Sequence, residues 1–132
     1  MDWKLEVVVV PVSDVDRAKR FYSQQLGFVV DTDRRLSDTF RVVQLTPPGS
    51  ACSIVIGTGL IESVPGSLKG LQLVVSDIQA ARAELAGRGV EVGPVRHVEN
   101  GVWVDGPGGP WNSFVSCNDL DGNAWTIQEK PQ

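Results

Sequence analysis

Histidine, cysteine and clustered basic residues are scarce in this chain of 132 residues, and each scarcity excludes a class of function. The one histidine and the two cysteines, Cys52 and Cys117, form no CxxC pair and show none of the spacings of a zinc site or a disulfide framework. The formal charge is -4, and the longest basic cluster is the pair Arg34-Arg35. Nucleic acid is therefore not an expected partner.

Long apolar runs are missing as well. The longest are far shorter than the roughly 20 residues that a membrane-spanning helix needs. The opening segment MDWKLEVVVV contains a single lysine and leads into a strand pattern, which is not typical of a signal peptide. With 42% hydrophobic and 21% charged residues, the composition is that of a globular protein. We expect one cytoplasmic domain over residues 1–132 and no membrane partner.

Two segments repeat one pattern almost half a chain apart. Val12-Ser13-Asp14-Val15 matches Val75-Ser76-Asp77-Ile78, and in both a β-branched run stops at Ser-Asp. Apolar residues then recur at three- and four-residue spacings, which predicts a helix capped by the Ser or Asp side chain. Gly27 and Gly89 follow, where a left-handed conformation would end each helix. One design is used twice.

Candidate strands follow each predicted helix. They are FVVDTD, FRVVQLT and CSIVIG in the first half, and VEVGPVRHV, GVWVD, SFVSC and AWTIQE in the second. Residues 62–69 are interpreted as a linker, so that module one spans 1–62 and module two spans 69–132. We predict a β-α-β-β-β order for each module and an α+β fold in which two paired modules with curved mixed sheets surround a cleft.

The paired module resembles the vicinal oxygen chelate superfamily, which includes glyoxalases, extradiol dioxygenases, fosfomycin-modifying enzymes and bleomycin resistance proteins. The resemblance covers essentially the whole chain. It is carried by VVVVPVSDVDRAKRFYSQQLGF near the start and DLDGNAWTIQE near the end. The second segment looks like the family's Asp-Pro-Asp-Gly-Asn turn into the last strand, with Leu120 in place of the proline. The family reuses one cleft for several chemistries, so the resemblance implies the fold more than the function.

Enzymes of this superfamily hold a divalent metal with histidine on the opening strands and glutamate on the closing strand. The resemblance therefore implies where metal ligands would lie in this chain. The matching opening positions here are Val7 and Gly70, with Gln72 on the same strand face as Gly70. The closing-strand position is Thr126, and its first-half equivalent falls near Ile54. None of these is a histidine or a carboxylate, so we expect no metal and no cofactor. A divalent metal held by rearranged ligands stays an open alternative.

Glu129 lies on the closing strand but out of phase with the metal position. Because strand side chains alternate, Thr126 and Gln128 point to one face, and Glu129 points to the other face with Trp125 and Ile127. We predict that Glu129 is a solvated or rim carboxylate.

The single histidine, His97, is the best available general acid or base because imidazole titrates near neutral pH. Glu99 and Asp105 are close enough in sequence to orient it. Two interpretations stay open: His97 is a catalytic residue of the cleft, or it is a surface or packing residue.

Residues 99–113, with the sequence ENGVWVDGPGGPWNS, form the most unusual stretch. The Gly- and Pro-rich loop is typical of a flap over a cleft, where Trp103 and Trp111 would stack on a planar or cationic ligand. The alternative is that both tryptophans pack a hairpin or a dimer interface. Polar strand residues complete the predicted ligand contacts: Arg41, Gln44, Gln72, Thr126 and Gln128.

These residues are compatible with two main functions. The first is a metal-independent binding protein that resembles the bleomycin resistance branch and holds a small organic ligand without modifying it. The second is a superfamily enzyme, an isomerase, lyase or dioxygenase-like protein, that works with His97 in a metal-free or non-standard site. An interaction module whose cleft is filled by its own side chains is a third alternative. The resemblance also implies a homodimer.

Overall fold

The computed structural model describes residues 1–131, and these residues form two compact units. Unit 1 comprises Met1–Leu68 together with Asp119–Asn123. Unit 2 comprises Lys69–Asn118 and the residues from Ala124 onward. The turn Asp119–Asn123, which we placed in module two, is therefore a part of unit 1.

Unit 1 is a four-stranded mixed sheet with one helix. Its elements in chain order are β1 (Val7–Val9), α1 (Val15–Arg20), β2 (Val29–Ser37), β3 (Phe40–Thr46) and β4 (Ser53–Thr58). The helix continues as a π-helical turn, Phe21–Gln25. The strand order is β1-β4-β3-β2, in which β1 is parallel to β4 and the other pairs are antiparallel. The predicted β-α-β-β-β order is present in this unit.

Unit 2 is a five-stranded mixed sheet with one helix. Its elements are β5 (Leu71–Val75), α2 (Ile78–Gly87), β6 (Arg96–Glu99), β7 (Val102–Asp105), β8 (Phe114–Asn118) and β9 (Ala124–Glu129). The strand order is β5-β9-β8-β6-β7. The unit has one strand more than the predicted order, because Asn100 and Gly101 form a tight turn that folds β6 and β7 into a hairpin. Both turn residues have positive φ, 52° and 77°, as a two-residue hairpin loop requires. The predicted α+β class is confirmed.

The helix boundaries follow the repeated Ser-Asp pattern. Asp14 and Asp77 have extended backbones, and each side chain accepts the backbone N–H three residues later, at 3.1 and 3.0 Å. These bonds satisfy donors that have no partner within the helix. Gly27 and Gly89 have φ of 79° and 84° where the chain leaves the helices. A side chain at either position would strain this left-handed backbone.

Each helix covers one face of the sheet in its own unit. Helix α1 packs against β4, and α2 packs against β8 and β9. The side chains between each helix and its sheet are almost fully buried, and each aliphatic one contributes about 1.5–3 kcal/mol of transfer free energy. They include Tyr22, Val43, Leu45 and Ile56 in unit 1, and Ile78, Val115, Trp125 and Ile127 in unit 2. Because strand side chains alternate, the residues between these core positions project from the opposite face of each sheet.

Arg41 lies on the covered face of β3 and is buried. Its Nε and Nη2 donate to the two carboxylate oxygens of Asp33 at 3.0 and 2.8 Å, and its Nη1 donates to Asp16 at 2.8 Å. Lys19 also donates to Asp33, at 2.8 Å. Arg41 therefore has an internal role in place of the ligand contact that we predicted, because its guanidinium is already bound by two carboxylates.

The turn Asp119–Asn123 has a buried hydrogen-bond network within unit 1. One oxygen of Asp119 accepts from the Tyr22 hydroxyl and from the Asn123 amide, both at 2.7 Å. The Asn123 amide also donates to the carbonyl of Pro11 at 2.8 Å and accepts the N–H of Leu68 at 3.1 Å. Buried polar groups of this kind stabilise a fold only when their hydrogen bonds are satisfied, as they are here.

Among the described residues, no helix has the length and apolar character needed to cross a membrane.

The Arg41 network makes stability depend on pH. Hydrogen bonds from Arg41 and then Lys19 hold the pKa of the Asp33 carboxyl well below its usual range. The ion pair of Arg41 and Asp33 therefore contributes its full stability above the unfolded-state pKa of about 3.9. This contribution to the free energy of unfolding is lost as pH falls from there through the lower folded-state pKa. We expect Arg41→Gln to lower the free energy of unfolding by about 2 kcal/mol at pH 7, with a smaller loss at pH 3.

Urea unfolding followed by tryptophan fluorescence measures this difference. Arg34→Gln is the matched control, because Arg34 is an exposed residue of the adjacent strand β2. Equal losses for the two variants, or a loss for Arg41→Gln that does not change with pH, would contradict the prediction.

Candidate functional site

The polar strand residues predicted in the second half lie on one face of the unit 2 sheet. Gln72 pairs with Thr126 and Thr126 pairs with Ser116, so their side chains share a face. The same face continues across the sheet through the pairs of Phe114 with Gln128 and with Arg96. We call it the distal face, because helix α2 packs on the other side. Its site residues are Gln72, Arg96, Trp103, Phe114, Ser116, Thr126 and Gln128.

A cavity of about 260 Å³ opens on the distal face of unit 2. It is lined by Gly93, Pro94, Arg96, Trp103, Phe114 and Ser116. Two aromatic rings form apolar walls: Trp103 meets Phe114 edge to face, with ring centroids 5.3 Å apart. The Trp103 side chain is still 49% exposed, so its ring has surface left for a ligand. Flat apolar walls beside a few polar groups are typical of small-molecule sites.

Arg96 lies over the ring of Trp103 at the same cavity. Its guanidinium carbon is 5.7 Å from the ring centroid, within the range of a cation–π contact. The ring of Trp103 is therefore already in contact with a planar cation of the protein itself. Stacking of Trp103 on a ligand stays a prediction.

Gln72, Gln128 and Trp111 are joined by a short chain of hydrogen bonds beside the cavity. The amide of Gln72 donates to the Gln128 side-chain oxygen at 2.7 Å, and the Gln128 amide donates to the carbonyl of Trp111 at 2.8 Å. Trp111 has a positive φ of 62°, which is unusual for a bulky residue and is maintained only where the surroundings hold it. Its exposed side chain does not line the cavity, whereas Gln128 fixes its backbone.

The loop between β7 and β8 is pinned at several points, in contrast to the flap that we considered. The Asn112 side chain makes two 2.9 Å hydrogen bonds to the backbone N–H and C=O of Val98, and so takes the place of a neighbouring strand residue. The buried Ser113 hydroxyl accepts the N–H of Gly108 at 3.0 Å. Gly108 is close-packed, since a Cβ there would lie 2.3 Å from the Asn112 carbonyl oxygen. These contacts favour a fixed loop over a mobile flap.

His97 projects from the face of β6 opposite to Arg96, because neighbouring strand residues alternate. Its Nδ1 is 2.7 Å from the carbonyl oxygen of Gly106, and its Nε2 is 3.3 Å from the Glu99 carboxylate. Glu99 orients it, as we considered, whereas Asp105 pairs with Arg96 at 3.7 Å. Acceptors at both ring nitrogens favour the imidazolium, which has no lone pair to accept a proton. This geometry does not favour His97 as a general base at the cavity.

Glu129 lies on the helix side of β9 and is partly buried. Its carboxylate accepts the backbone N–H of Ile78, the first residue of α2, at 2.8 Å. An anion at a helix N-terminus is stabilised by the unpaired N–H groups and the helix dipole. Glu129 thus stabilises the start of α2, a structural contact that the prediction of a solvated or rim carboxylate did not include.

Gln44 points away from Arg41, to the side of the unit 1 sheet opposite to helix α1. Its amide lies 3.5 Å from both Asp31 and the Ser53 hydroxyl, and Thr46 hydrogen-bonds to the same two residues. Gln44 therefore belongs to a polar cluster of unit 1 and stays a predicted ligand contact.

The residues at the predicted metal positions do not suit a divalent metal. Val7 pairs in the sheet with Ser53, and Ile54 is buried in the core. Gln72 is paired with Thr126 and donates its amide to Gln128. Amides and aliphatic side chains are poor donors for such ions. In residues 1–131 there is no group of three or more histidine, cysteine or acidic side chains that could hold a metal.

Among the strand residues that line the cavity, sequence reasoning missed three: Arg96, Phe114 and Ser116. Each lies in a strand that the alternation of apolar residues predicted. Their common face depends on the register between β6, β8 and β9, which a single sequence does not specify.

The chain matches the family model described as Glyoxalase/Bleomycin resistance protein/Dioxygenase superfamily over residues 4–127. Among curated proteins, the uncharacterized protein YetH of Bacillus subtilis (strain 168) is 23% identical over 128 residues, which cover 96% of this chain and 98% of YetH.

Solved structures are similar over nearly the full length. TnmS3, an antibiotic binding protein from Streptomyces sp. CB03234, is 32% identical with a TM-score of 0.78, and the match covers 98% of this chain and 97% of TnmS3. A glyoxalase/bleomycin resistance protein from the same organism is 33% identical with a TM-score of 0.74, with coverage of 95% and 99%. A superfamily member from Sphaerobacter thermophilus DSM 20745 is 28% identical with a TM-score of 0.79, with coverage of 98% of both chains.

The environment of His97 predicts its titration. The Gly106 carbonyl, and then the Glu99 carboxylate, raise the pKa of His97 above its ordinary value of about 6.5. Any stability that this histidine contributes is therefore full below pH 6.5 and is lost as pH rises through the folded-state pKa. We expect Glu99→Gln to lower the pKa and Asp105→Asn to leave it unchanged. Proton NMR of this single imidazole measures it, and a wild-type pKa at or below 6.5 would contradict the prediction.

Proposed function

Since the chain belongs to the Glyoxalase/Bleomycin resistance protein/Dioxygenase superfamily, we propose that it is a metal-independent small-molecule binding protein that holds an organic ligand on the distal face of unit 2. The observation that carries the proposal is the cavity at which Trp103 and Phe114 expose aromatic walls beside Arg96 and Ser116. Such walls bind flat apolar groups through burial and ring stacking, and the polar groups add orientation.

The relatives support binding as the function. TnmS3 is described as an antibiotic binding protein, and its identity of 32% extends over nearly the whole chain. We propose by analogy that the ligand is an antibiotic-like organic molecule with a planar aromatic part. Metal independence is supported by the side chains at Val7, Ile54, Gln72 and Thr126, which are weak metal donors. We do not propose catalysis, because His97 projects from the face of β6 opposite to Arg96 and does not line the cavity.

Calorimetric titration with a neutral planar probe, 2-naphthamide, tests the binding function. We expect Trp103→Ala to weaken binding about tenfold, because it removes one aromatic wall, and Trp103→Phe to retain most of the affinity. Trp3→Ala is the matched control, since Trp3 is an exposed residue of unit 1. EDTA should leave the affinity unchanged.

Two results would count against this function. Equal affinities of the wild type and Trp103→Ala would show that the probe does not bind at the cavity. Binding that disappears with EDTA and returns with a divalent metal would contradict metal independence.

We also propose that the protein is a cytoplasmic homodimer. Among the described residues, Cys52 and Cys117 form no disulfide, in keeping with a reducing compartment. Strand β7 is an edge strand on which Val102 and Val104 are exposed, and exposed apolar edges favour association.

Sedimentation velocity tests the dimer. We expect a dimer for the wild type and for Val64→Lys, a control at an exposed apolar residue of unit 1, and a monomer for Val102→Lys. A wild-type protein that sediments as a monomer at all concentrations would contradict the proposal.

A further inference from the structure

Among the described residues, Arg96 is the single charged side chain that lines the cavity of unit 2. From its contacts we infer that the cavity selects planar aromatic carboxylic acids, whose carboxylate Arg96 binds while the ring packs against Trp103 and Phe114. This inference rests on the proposed binding function and adds the chemical class of the ligand.

The guanidinium of Arg96 has unused hydrogen-bonding capacity. Its nearest carboxylate, that of Asp105, lies 3.7 Å from Nε, which is longer than a hydrogen bond, and the Asp105 side chain is 85% exposed. Among the described residues, no acceptor lies within hydrogen-bond distance of the Arg96 guanidinium. A solvent-exposed pair of this kind contributes little, so a ligand carboxylate can replace it at low cost.

Other arginines of the chain show the contrast. Arg41 is bound by two carboxylates, Arg82 donates to the carbonyl of Gly93 at 2.8 Å, and Arg88 pairs with Glu84 at 2.6 Å. Arg96 is instead 45% exposed, and its guanidinium lies over the ring of Trp103. This cation–π contact restricts the guanidinium before a ligand arrives, and its planar fork of N–H donors matches the two oxygens of a carboxylate.

The charge of the cavity is opposite to that of the chain. The formal charge of the protein is -4, yet the lining of the cavity, as far as residues 1–131 form it, has a cation and no acidic residue. A positive group here therefore does not follow from a generally basic surface. The Arg96 side chain gives the cavity a local preference for an anion, although the net negative charge of the protein repels anions at long range.

Ser116 supplies a second polar group and the walls set the size of the ligand. The Ser116 hydroxyl lines the cavity and makes no side-chain hydrogen bond to any other residue of the described chain. The volume of about 260 Å³ is near the lower limit of small-molecule sites, which are about 300–1,000 Å³. This size suits one or two fused rings with a single acidic substituent better than a large ligand enclosed as a whole.

Two probes that differ only in charge test the inference. The probes are 2-naphthoate and 2-naphthamide, titrated calorimetrically into the full chain at pH 7. We expect the wild type to bind the acid about tenfold more tightly, because charge-assisted hydrogen bonds are stronger than neutral ones. In Arg96→Gln the preference should fall below about twofold while the amide still binds. Arg34→Gln, which removes an exposed arginine of unit 1, should keep the tenfold preference.

Added salt and a lysine variant sharpen the test. Raising the salt concentration should weaken binding of the naphthoate and leave that of the naphthamide unchanged. Arg96→Lys should retain part of the preference, since it keeps the charge and loses the two-pronged geometry. Circular dichroism checks that the variants are folded.

The outcomes separate this inference from the proposed function. Equal affinities for the two probes, or a preference that Arg96→Gln leaves intact, would overturn the inference. If the amide still binds and depends on Trp103 in that case, the proposed function stands. Binding of neither probe at millimolar concentration would overturn the inference as well as binding at this cavity.

Discussion

The alternation of side chains along the strands is the constraint on which the rest of this structure depends. Each unit has one helix, which buries one face of its sheet, and so every second strand residue becomes core. In unit 2 the covered residues Val115, Trp125 and Ile127 fix the register. Their neighbours Phe114, Ser116, Thr126 and Gln128 must then lie together on the distal face. Packing of the core thereby assembles the candidate site.

Most of the charged groups that attract attention in the sequence have structural roles within their own unit. Arg41 is bound by Asp33 and Asp16. Glu129 stabilises the first turn of α2, and Asp119 accepts a hydrogen bond from the Tyr22 hydroxyl. A buried or half-buried charge without a partner is costly, so the fold provides partners for each of these. What distinguishes Arg96 is that the fold provides it with an aromatic ring and no close acceptor.

The distal face of unit 2 combines exposed aromatic area with ordered polar groups. It exposes aromatic area at Trp103, and it holds polar amides and hydroxyls in fixed positions through strand pairing and the hydrogen bonds of Gln128. A rigid surface loses little conformational entropy when a ligand binds, which favours affinity. The family supplies a common scaffold for such faces, while the side chains on them decide the chemistry.

The sequence by itself determined the elements of this protein and their class. The Ser-Asp pairs at Asp14 and Asp77, the glycines at 27 and 89 and the period-two strands are local signals, and each is explained by hydrogen bonds or sterics within a few residues. The repeat of these signals was sufficient to predict two modules and the α+β class. The hairpin of β6 and β7 added a strand to the second, through the Asn-Gly turn at 100 and 101.

Only the tertiary structure decided which residues meet. Arg96 and Phe114 face each other because β6 pairs with β8, and the turn Asp119–Asn123 belongs to unit 1 because Asn123 bonds to Pro11 and Leu68. The contacts of His97 with the Gly106 carbonyl and of Glu129 with the first N–H of α2 were likewise not predicted, since they depend on the fold around each side chain. Strand register and long-range hydrogen bonds depend on partners distant in sequence, and for that physical reason local patterns do not specify them.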